Sequence, residues 1–186
     1  MKHNKINLRF TVIASLIVLA AFSRIITHMP NFSPLAAIGI FGAAYFQKKW
    51  QVFIIPITAT WLSDLFINNV IYAQHYKTFT WFYSGFYWQY GSYLLITFVS
   101  FFILKKVNTQ RVLFASLIST ILFFAVTNFA CYGSYPQNLN GLVSCYAAGI
   151  PFIKGTLLGD LFYCAVLFGT FELAQKRISA LKTNHA

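Results

Sequence analysis

Long apolar stretches separated by short polar breaks fill almost the whole chain. Most of them approach the 20 or so residues that a helix needs to cross a bilayer about 30 Å thick. The pattern predicts six helices, at about 8–26, 34–46, 51–71, 81–104, 111–131 and 155–176. The second is too short to span alone, so we expect it to be tilted, buried in the bundle or extended by neighbouring turns. The fold class we predict is an all-α membrane protein, a bundle of about six transmembrane helices in one domain over residues 1–186.

The connection between the fifth and sixth predicted helices is the longest one. It contains Pro136, Gly141, Gly149 and Pro151 around an apolar patch. Proline and glycine commonly interrupt regular structure. We therefore expect residues 132–154 to form a loop that holds a short helix or a re-entrant segment.

The charged residues are few and lie mostly in alternate connections. Only 9% of the chain is charged, against about 25% in soluble domains. With the first residues inside the cell, eleven of the 14 basic residues fall on the inner side, and only Arg24, Lys77 and Lys154 on the outer side. Because basic connections stay in the cytoplasm, we predict that both chain ends are cytoplasmic. Charge placed in this way argues for a lipid bilayer as the surroundings and against nucleic acid as a partner.

Ionisable side chains inside the apolar stretches are costly, and they gather towards one end of the predicted bundle. Such a charge costs about 2.5–3.5 kcal/mol in hydrocarbon. Arg24, Asp64, Asn128, Lys154 and Asp160 all map to the outer third of the helices. Two interpretations stay open and can coexist. One is an internal Arg24–Asp64 ion pair, with Asp160 stabilised by the positive end of its helix; the other is a ligand pocket that opens outwards.

The remaining candidate groups have ordinary structural explanations. Glu172 precedes Lys176 by four residues, which predicts a helical ion pair. His28 and His75 lie in predicted loops, where a histidine is more often a polar loop residue than a metal ligand, so no metal site is predicted. The three cysteines have no zinc spacing, and a disulfide between Cys131 and Cys145 stays open. No phosphate loop, HExxH or GxSxG motif occurs, so we assign no catalytic residue and do not expect an enzyme.

An aromatic-rich run, FTWFYSGFYWQYGSY, begins the fourth predicted helix at residues 79–93. Trp and Tyr are typical of the membrane interface. However, a helix distributes its side chains around its circumference, so some of these nine aromatic residues must point inward. Flat rings with polar tips there would suit a large, partly apolar ligand.

Several blocks of the sequence resemble a family of small bacterial inner-membrane proteins. They are SRIITHMPNFSPLAAIGIFGAAYF (23–46), WLSD (61–64), TNF (127–129), YP (135–136), GLVSCYAAGIPF (141–152) and TLLGDLFY (156–163). That family is similar to the solitary cobalamin-binding S-components of energy-coupling-factor transporters, the BtuM type. The resemblance implies a six-helix protein of the bacterial cytoplasmic membrane that captures a vitamin from outside. Cobalamin would be a transported ligand and not a cofactor, and an ATPase module or slow facilitated passage would complete its transport.

The resemblance also implies a set of ligand-binding residues. Carried over by position, the set is His28, Asn31, Asp64, Tyr83 and Lys154, and it is completed by Arg24 and Asp160, which lie within the same blocks. Polar substituents of a corrinoid would be bound by Arg24, His28, Asp64 and Lys154, and Tyr83 would cover the flat ring. Two other classes stay open: a membrane enzyme acting on a lipid or isoprenoid, with Asp64 and His28 transferring protons, and a structural protein with no small-molecule site.

Overall fold

The apolar stretches form six α-helices in the part of the chain that the structure, a computed structural model, describes. That part comprises residues 2–26, 29–76 and 78–182, without the side chains of residues 2–7. The helices are α1 (Lys2–Phe22), α2 (Leu35–Tyr45), α3 (Lys49–Phe66), α4 (Phe86–Ile103), α5 (Thr109–Tyr132) and α6 (Leu139–Arg177). A 3-10 turn (Ser23–Ile25) continues α1, a π turn (Ile67–Ile71) continues α3, and a 3-10 turn (Ser179–Leu181) follows α6. These ranges contain no β-strand, which confirms the all-helical class.

Within the described ranges, four helical segments are long and apolar enough to cross a membrane. They are Leu8–Ile25, Lys49–Ile71, Thr109–Tyr132 and Leu139–Arg177. The shorter α2 has 11 residues, ten of them buried, and it contacts every other helix of the bundle. Of the three arrangements that the sequence leaves open for this helix, burial is therefore the one observed.

Small residues let α2 lie at the centre of the bundle. A Cβ atom at Gly39 would overlap Thr97 Oγ1 on α4, and one at Gly42 would lie 3.0 Å from Pro56 Cγ on α3. The ring centroid of Phe41 lies 5.4 Å from that of Phe168 on α6 and fills the remaining space. The glycines let the backbones of neighbouring helices come close to α2, and large side chains such as Phe41 fill the space that remains. Together they give the dense packing of a protein interior.

The length of α6 contradicts the predicted loop at residues 132–154. The helix runs for 39 residues from its N-cap, Asn138, whose Oδ1 accepts a hydrogen bond of 2.9 Å from the Gly141 N–H. Pro151 lies inside the helix and does not end it. A proline is tolerated within a helix when neighbouring packing compensates for the lost hydrogen bond.

The glycines that suggested a loop are contact points of α6. A Cβ atom at Gly149 would overlap the Asn128 side chain on α5, and one at Gly155 would overlap the Pro30 carbonyl. Glycine is present there because neighbouring groups leave no room for a side chain. The loop prediction was wrong because sequence alone does not separate this role from a flexible turn.

The two ends of the bundle have different chemistry. At one end, buried Arg9 of α1 donates hydrogen bonds to the carbonyls of Leu181 and Tyr45, which fastens the C-terminal turn to α1. We call this the terminal end. The opposite end begins where α1 passes into the turn that contains Arg24.

Candidate functional site

Two adjoining cavities lie at the opposite end. Cavity A, of about 350 Å³, includes Arg24 and Asp160 in its wall. Cavity B, of about 370 Å³, lies between α5 and α6 and includes Asn128 and Cys131. Of the residues that the structure describes, four line both of them: Asn31, Gln89, Phe123 and Thr156. We call the two together the paired cavities, and each has the size of a small-molecule site.

Arg24 connects cavity A to a buried acid. Its Nη1 donates to Asp64 Oδ1 at 2.6 Å and to Ser63 Oγ at 3.1 Å. The Tyr90 hydroxyl donates to the other carboxylate oxygen, Asp64 Oδ2, at 2.7 Å. Asp64 is buried and is not among the lining residues. The internal ion pair that the sequence leaves open is present, and Asp64 reaches cavity A through Arg24.

Asp160 forms the acidic wall of cavity A. Its side chain is buried, and Oδ2 accepts hydrogen bonds from Ser119 Oγ at 2.8 Å and Thr120 Oγ1 at 3.3 Å on α5. Across the described ranges, no basic side chain forms an ion pair with it. The expected help from the positive end of its helix is absent, because α6 begins about six turns earlier and the dipole acts within the first turn.

The turn between α1 and α2 lies directly against α6. Asn31 in this turn has a φ of 61°, in the left-handed region that asparagine tolerates. A Cβ atom at Gly159 would lie 2.7 Å from Ser33 N, and the Phe32 ring centroid lies 5.7 Å from that of Tyr163. The glycine therefore lets the turn reach α6 and hold Asn31 between the two cavities.

Tyr83 reaches the paired cavities through Gln89. Asn69 holds the loop before α4 by donating to the Thr80 carbonyl at 2.9 Å and accepting from the Thr80 N–H at 2.7 Å. The Tyr83 hydroxyl then donates to Gln89 Oε1 at 2.8 Å. Burial and, to a smaller extent, the charge of Asp64 raise the pKa of Tyr83, so its hydroxyl stays a donor at neutral pH. This loop thus orients an amide that lines both cavities.

The structure divides the seven predicted site residues into four groups. Three line the paired cavities, two contact a lining residue by a hydrogen bond, one is exposed outside both linings, and one lies outside the described residues. In that order they are Arg24, Asn31 and Asp160; Asp64 and Tyr83; Lys154; and His28.

Sequence reasoning missed the side chains that join the two cavities. Gln89 and Thr156 line both, and the Phe123 ring is stacked on Tyr93 with centroids 5.6 Å apart. A signal for two of them was present in the spacing. Gln89 precedes Tyr93 by four residues and Thr156 precedes Asp160 by four, which places each pair on one helix face.

The aromatic run at the start of α4 divides as the sequence predicts. Tyr90 and Tyr93 point inward and are buried, whereas Trp81, Phe82 and Tyr87 are exposed. The inward tyrosines have different roles. Tyr90 binds Asp64, and Tyr93 lines cavity A.

The cysteines are all free thiols, so the disulfide left open by the sequence is not formed. Cys145 is buried and donates to the Asn128 carbonyl at 2.9 Å, whereas Cys131 is exposed in the lining of cavity B. Among residues 2–26, 29–76 and 78–182, no three His, Cys, Asp or Glu side chains are grouped as metal ligands would be.

Comparison with known proteins identifies a family without a known role. Residues 4–181 match a family of unknown function, DUF6580, and the chain belongs to that family. No curated protein and no solved structure matches the chain.

Proposed function

We propose that this member of the DUF6580 family is the substrate-binding subunit of a transporter in the bacterial cytoplasmic membrane. It captures a vitamin-like small molecule from the outer side, in the paired cavities. The observation that carries the proposal is the junction of two cavities of about 350 and 370 Å³ through four shared lining residues. We infer that one ligand extends into both cavities, because they adjoin and share these lining residues.

The proposed membrane arrangement contains all six helices. The four long apolar segments cross the bilayer, with α2 in the centre and α4 completing the bundle. The 39 residues of α6 give a length of about 58 Å. Because this is nearly twice the hydrocarbon thickness of about 30 Å, part of α6 projects into water beside cavity B.

The proposed orientation follows from the basic residues at the terminal end. Exposed side chains there include Lys48, Lys106, Lys176 and Arg177. Basic connections remain in the cytoplasm, so the terminal end faces inward and the paired cavities face outward. Arg9 is buried and bound to backbone carbonyls, and we leave it out of this argument.

The lining of cavity A suggests the polar chemistry of the ligand. Arg24 uses only Nη1 for Asp64 and Ser63, and no other hydrogen bond within the described ranges occupies its remaining N–H groups. These groups suit a carbonyl or anionic oxygen, whereas Asp160 suits an N–H or O–H donor. Amide groups fit both requirements, and Asn31 adds a further amide of its own.

A corrinoid, most simply cobalamin, is the first ligand to test, because amide side chains surround its flat ring. The stacked rings of Tyr93 and Phe123 offer an apolar contact to such a ring. The whole molecule is larger than a drug-sized ligand, so only its edge and some substituents would enter the paired cavities. Passage across the membrane would require an energising ATPase module or slow facilitated transport.

The decisive experiment is to purify the protein from cells supplied with cobalamin. We expect corrin absorbance that stays with the protein through gel filtration. Thr156→Phe fills the junction of the two cavities and should lower the bound fraction at least about tenfold, the effect of about 1.4 kcal/mol. Thr170→Phe, on an exposed face of the same helix, is the matched control and should bind normally. A colourless wild-type protein that shows no cobalamin binding by calorimetry would count against a corrinoid ligand.

An uptake assay separates this proposal from an enzyme or a structural protein. A corrinoid-dependent host that lacks its own importer should grow when it expresses the wild-type chain and not Thr156→Phe. An enzyme that uses Asp64 for proton transfer is less favoured, because Arg24 and Tyr90 occupy both carboxylate oxygens. Loss of a lipid-modifying activity in Asp64→Asn, with no effect on uptake, would support the enzyme instead.

A further inference from the structure

A third cavity lies at the terminal end, remote from the paired cavities. It has about 320 Å³ and lies between α1, the end of α2 and the start of α3. We call it the terminal cavity. Its polar lining includes Arg9, Gln47, Lys48 and Gln51, with Trp50 at the rim, and none of the described lining residues is acidic.

Among the described residues, the hydrogen-bond partners of the buried Arg9 are all neutral. Arg9 donates to the carbonyls of Leu181 and Tyr45, and its Cζ lies 5.2 Å from the ring centroid of Phe171. Its Nε has no hydrogen-bond partner within the described ranges. A buried charge normally has a counter-ion, and no carboxylate forms an ion pair with this guanidinium in those ranges.

The one acid at the terminal end is bound elsewhere. Glu172 accepts a hydrogen bond of 2.5 Å from the Tyr45 hydroxyl and is absent from the lining of the terminal cavity. The predicted pair with Lys176 is wrong, since no ion pair joins the two side chains. Glu172 therefore offsets part of the charge of Arg9 from a distance. It does not occupy the terminal cavity, so the positive charge there can attract an anion.

The start of α3 adds further positive potential. Lys48 is the N-cap of this helix and is exposed at the mouth of the cavity. The first N–H groups of a helix favour an anion, especially a phosphate. The side chain of Gln51 in the first turn lines the same space and provides an amide donor.

The opposite wall of the cavity is apolar, with Ile13 and Phe46 buried and Phe10 half-buried. Phe10 and Phe46 are in contact, with ring centroids 5.9 Å apart, and Ile13 lies beside them in the lining. The rim residue Trp50 is 54% exposed, as suits an indole at the boundary between lipid and water. A positive pocket next to an apolar wall matches a headgroup joined to acyl chains.

We propose that the terminal cavity binds the phosphate of an anionic phospholipid. Arg9 and Lys48 provide the charge, Gln51 donates a hydrogen bond, and the acyl chains lie along Phe10 and Phe46. A free phosphate ion shares the headgroup chemistry but would make no use of the apolar wall. The inference rests on the membrane location in the proposed function and is independent of the ligand in the paired cavities.

The test compares phosphatidylglycerol with phosphatidylcholine in mixed detergent micelles, using thermal unfolding of the purified full-length protein. Phosphatidylglycerol should raise the Tm of the wild type, and phosphatidylcholine should not. In Lys48→Glu, the phosphatidylglycerol concentration that gives half of the shift should rise about tenfold, because attraction becomes repulsion. This variant should fold, since a carboxylate is favourable at a helix start.

The matched control is Lys106→Glu, which makes the same charge change at an exposed site on the terminal end but outside the cavity. It should respond to phosphatidylglycerol as the wild type does. An equal loss in both variants, no loss in Lys48→Glu, or an equal response to phosphatidylcholine would overturn the site. The full shift with inorganic phosphate alone would overturn the lipid assignment. None of these results alters cobalamin binding, so the two proposals fail separately.

Discussion

Arg24 Nη1 lies 2.6 Å from Asp64 Oδ1, and this ion pair joins the turn after α1 to α3 beside cavity A. The two side chains differ in exposure, 20% for Arg24 and 7% for Asp64, so the carboxylate is the buried partner. Tyr90 satisfies its second oxygen. The pair therefore both stabilises the fold and holds Arg24 in the wall of the cavity.

Removing the buried partner should destabilise the protein. Asp64→Asn leaves the Arg24 guanidinium partly buried without its counter-ion, and we expect a loss of about 3 kcal/mol in the free energy of unfolding. Denaturant unfolding in detergent micelles measures this loss. The double variant Arg24→Gln/Asp64→Asn should lose less than the sum of the two single variants, because no unpaired charge remains. Wild-type stability in Asp64→Asn would contradict the importance of the pair.

Asp160 should contribute to stability through the hydroxyl groups that it accepts. Asp160→Leu removes the acceptor of Ser119, and we expect a cost of about 1–3 kcal/mol for an unsatisfied buried donor. The Thr120 hydroxyl also donates to the Ser116 carbonyl, so it keeps a partner in Asp160→Leu and should add less to this cost than Ser119 does. Asp160→Asn keeps an acceptor oxygen and is the matched control, with a smaller loss of stability in the same unfolding assay.

The affinity for the ligand should also depend on the carboxylate of Asp160. If the carboxylate accepts a hydrogen bond from the ligand, Asp160→Asn should weaken binding by about tenfold, as for one charge-assisted hydrogen bond. Calorimetric titration measures this change. An unchanged affinity would show that the ligand does not use this wall of cavity A.

The packing of the α1–α2 turn against α6 should depend on the absence of a side chain at Gly159. In Gly159→Ala, the new Cβ atom would lie 2.7 Å from Ser33 N, so the turn must move away from the helix. We expect lower stability and weaker ligand binding, because Asn31 moves with the turn. Gly169→Ala on the same helix has no atom within 4 Å of the new Cβ and should gain about 0.5–1 kcal/mol of stability. Equal effects in thermal unfolding of the two variants would contradict the close contact at Gly159.

The hydrophobic pattern predicts much of this fold because it is a local property of the chain. Six helices, the shortness of α2 and the end at which Arg24 and Asp160 collect follow from apolar length and from the cost of burying charge, whereas the burial of α2 was one of three arrangements left open. The sequence places α4 from residue 81, but the helix begins at Phe86. The preceding loop is held by two hydrogen bonds between the Asn69 side chain and the Thr80 backbone, an interaction with another element that no local pattern reveals.

The site was harder to predict than the helices. Gly149 and Pro151 suggested a loop, yet Gly149 is present because Asn128 packs against it, a reason that depends on the neighbouring helix. Gln89 borders both cavities from α4, and its amide is oriented by a hydrogen bond from Tyr83 in the preceding loop. The free-energy cost of burying a charge identified the ionisable residues that need a partner. The shape of the paired cavities, in contrast, depends on contacts between elements that are distant in the sequence.

The most direct test of the central claim is labelling of Cys131 with a maleimide that cannot cross membranes. Cys131 is exposed in cavity B, whereas Cys145 and Cys164 are buried. We predict that wild-type protein in intact spheroplasts is labelled, that Cys131→Ser is not, and that Lys106→Cys in the Cys131→Ser background is labelled only after lysis. Labelling of Cys131 only after lysis would mean that the paired cavities face the cytosol, and it would contradict capture of a ligand from outside.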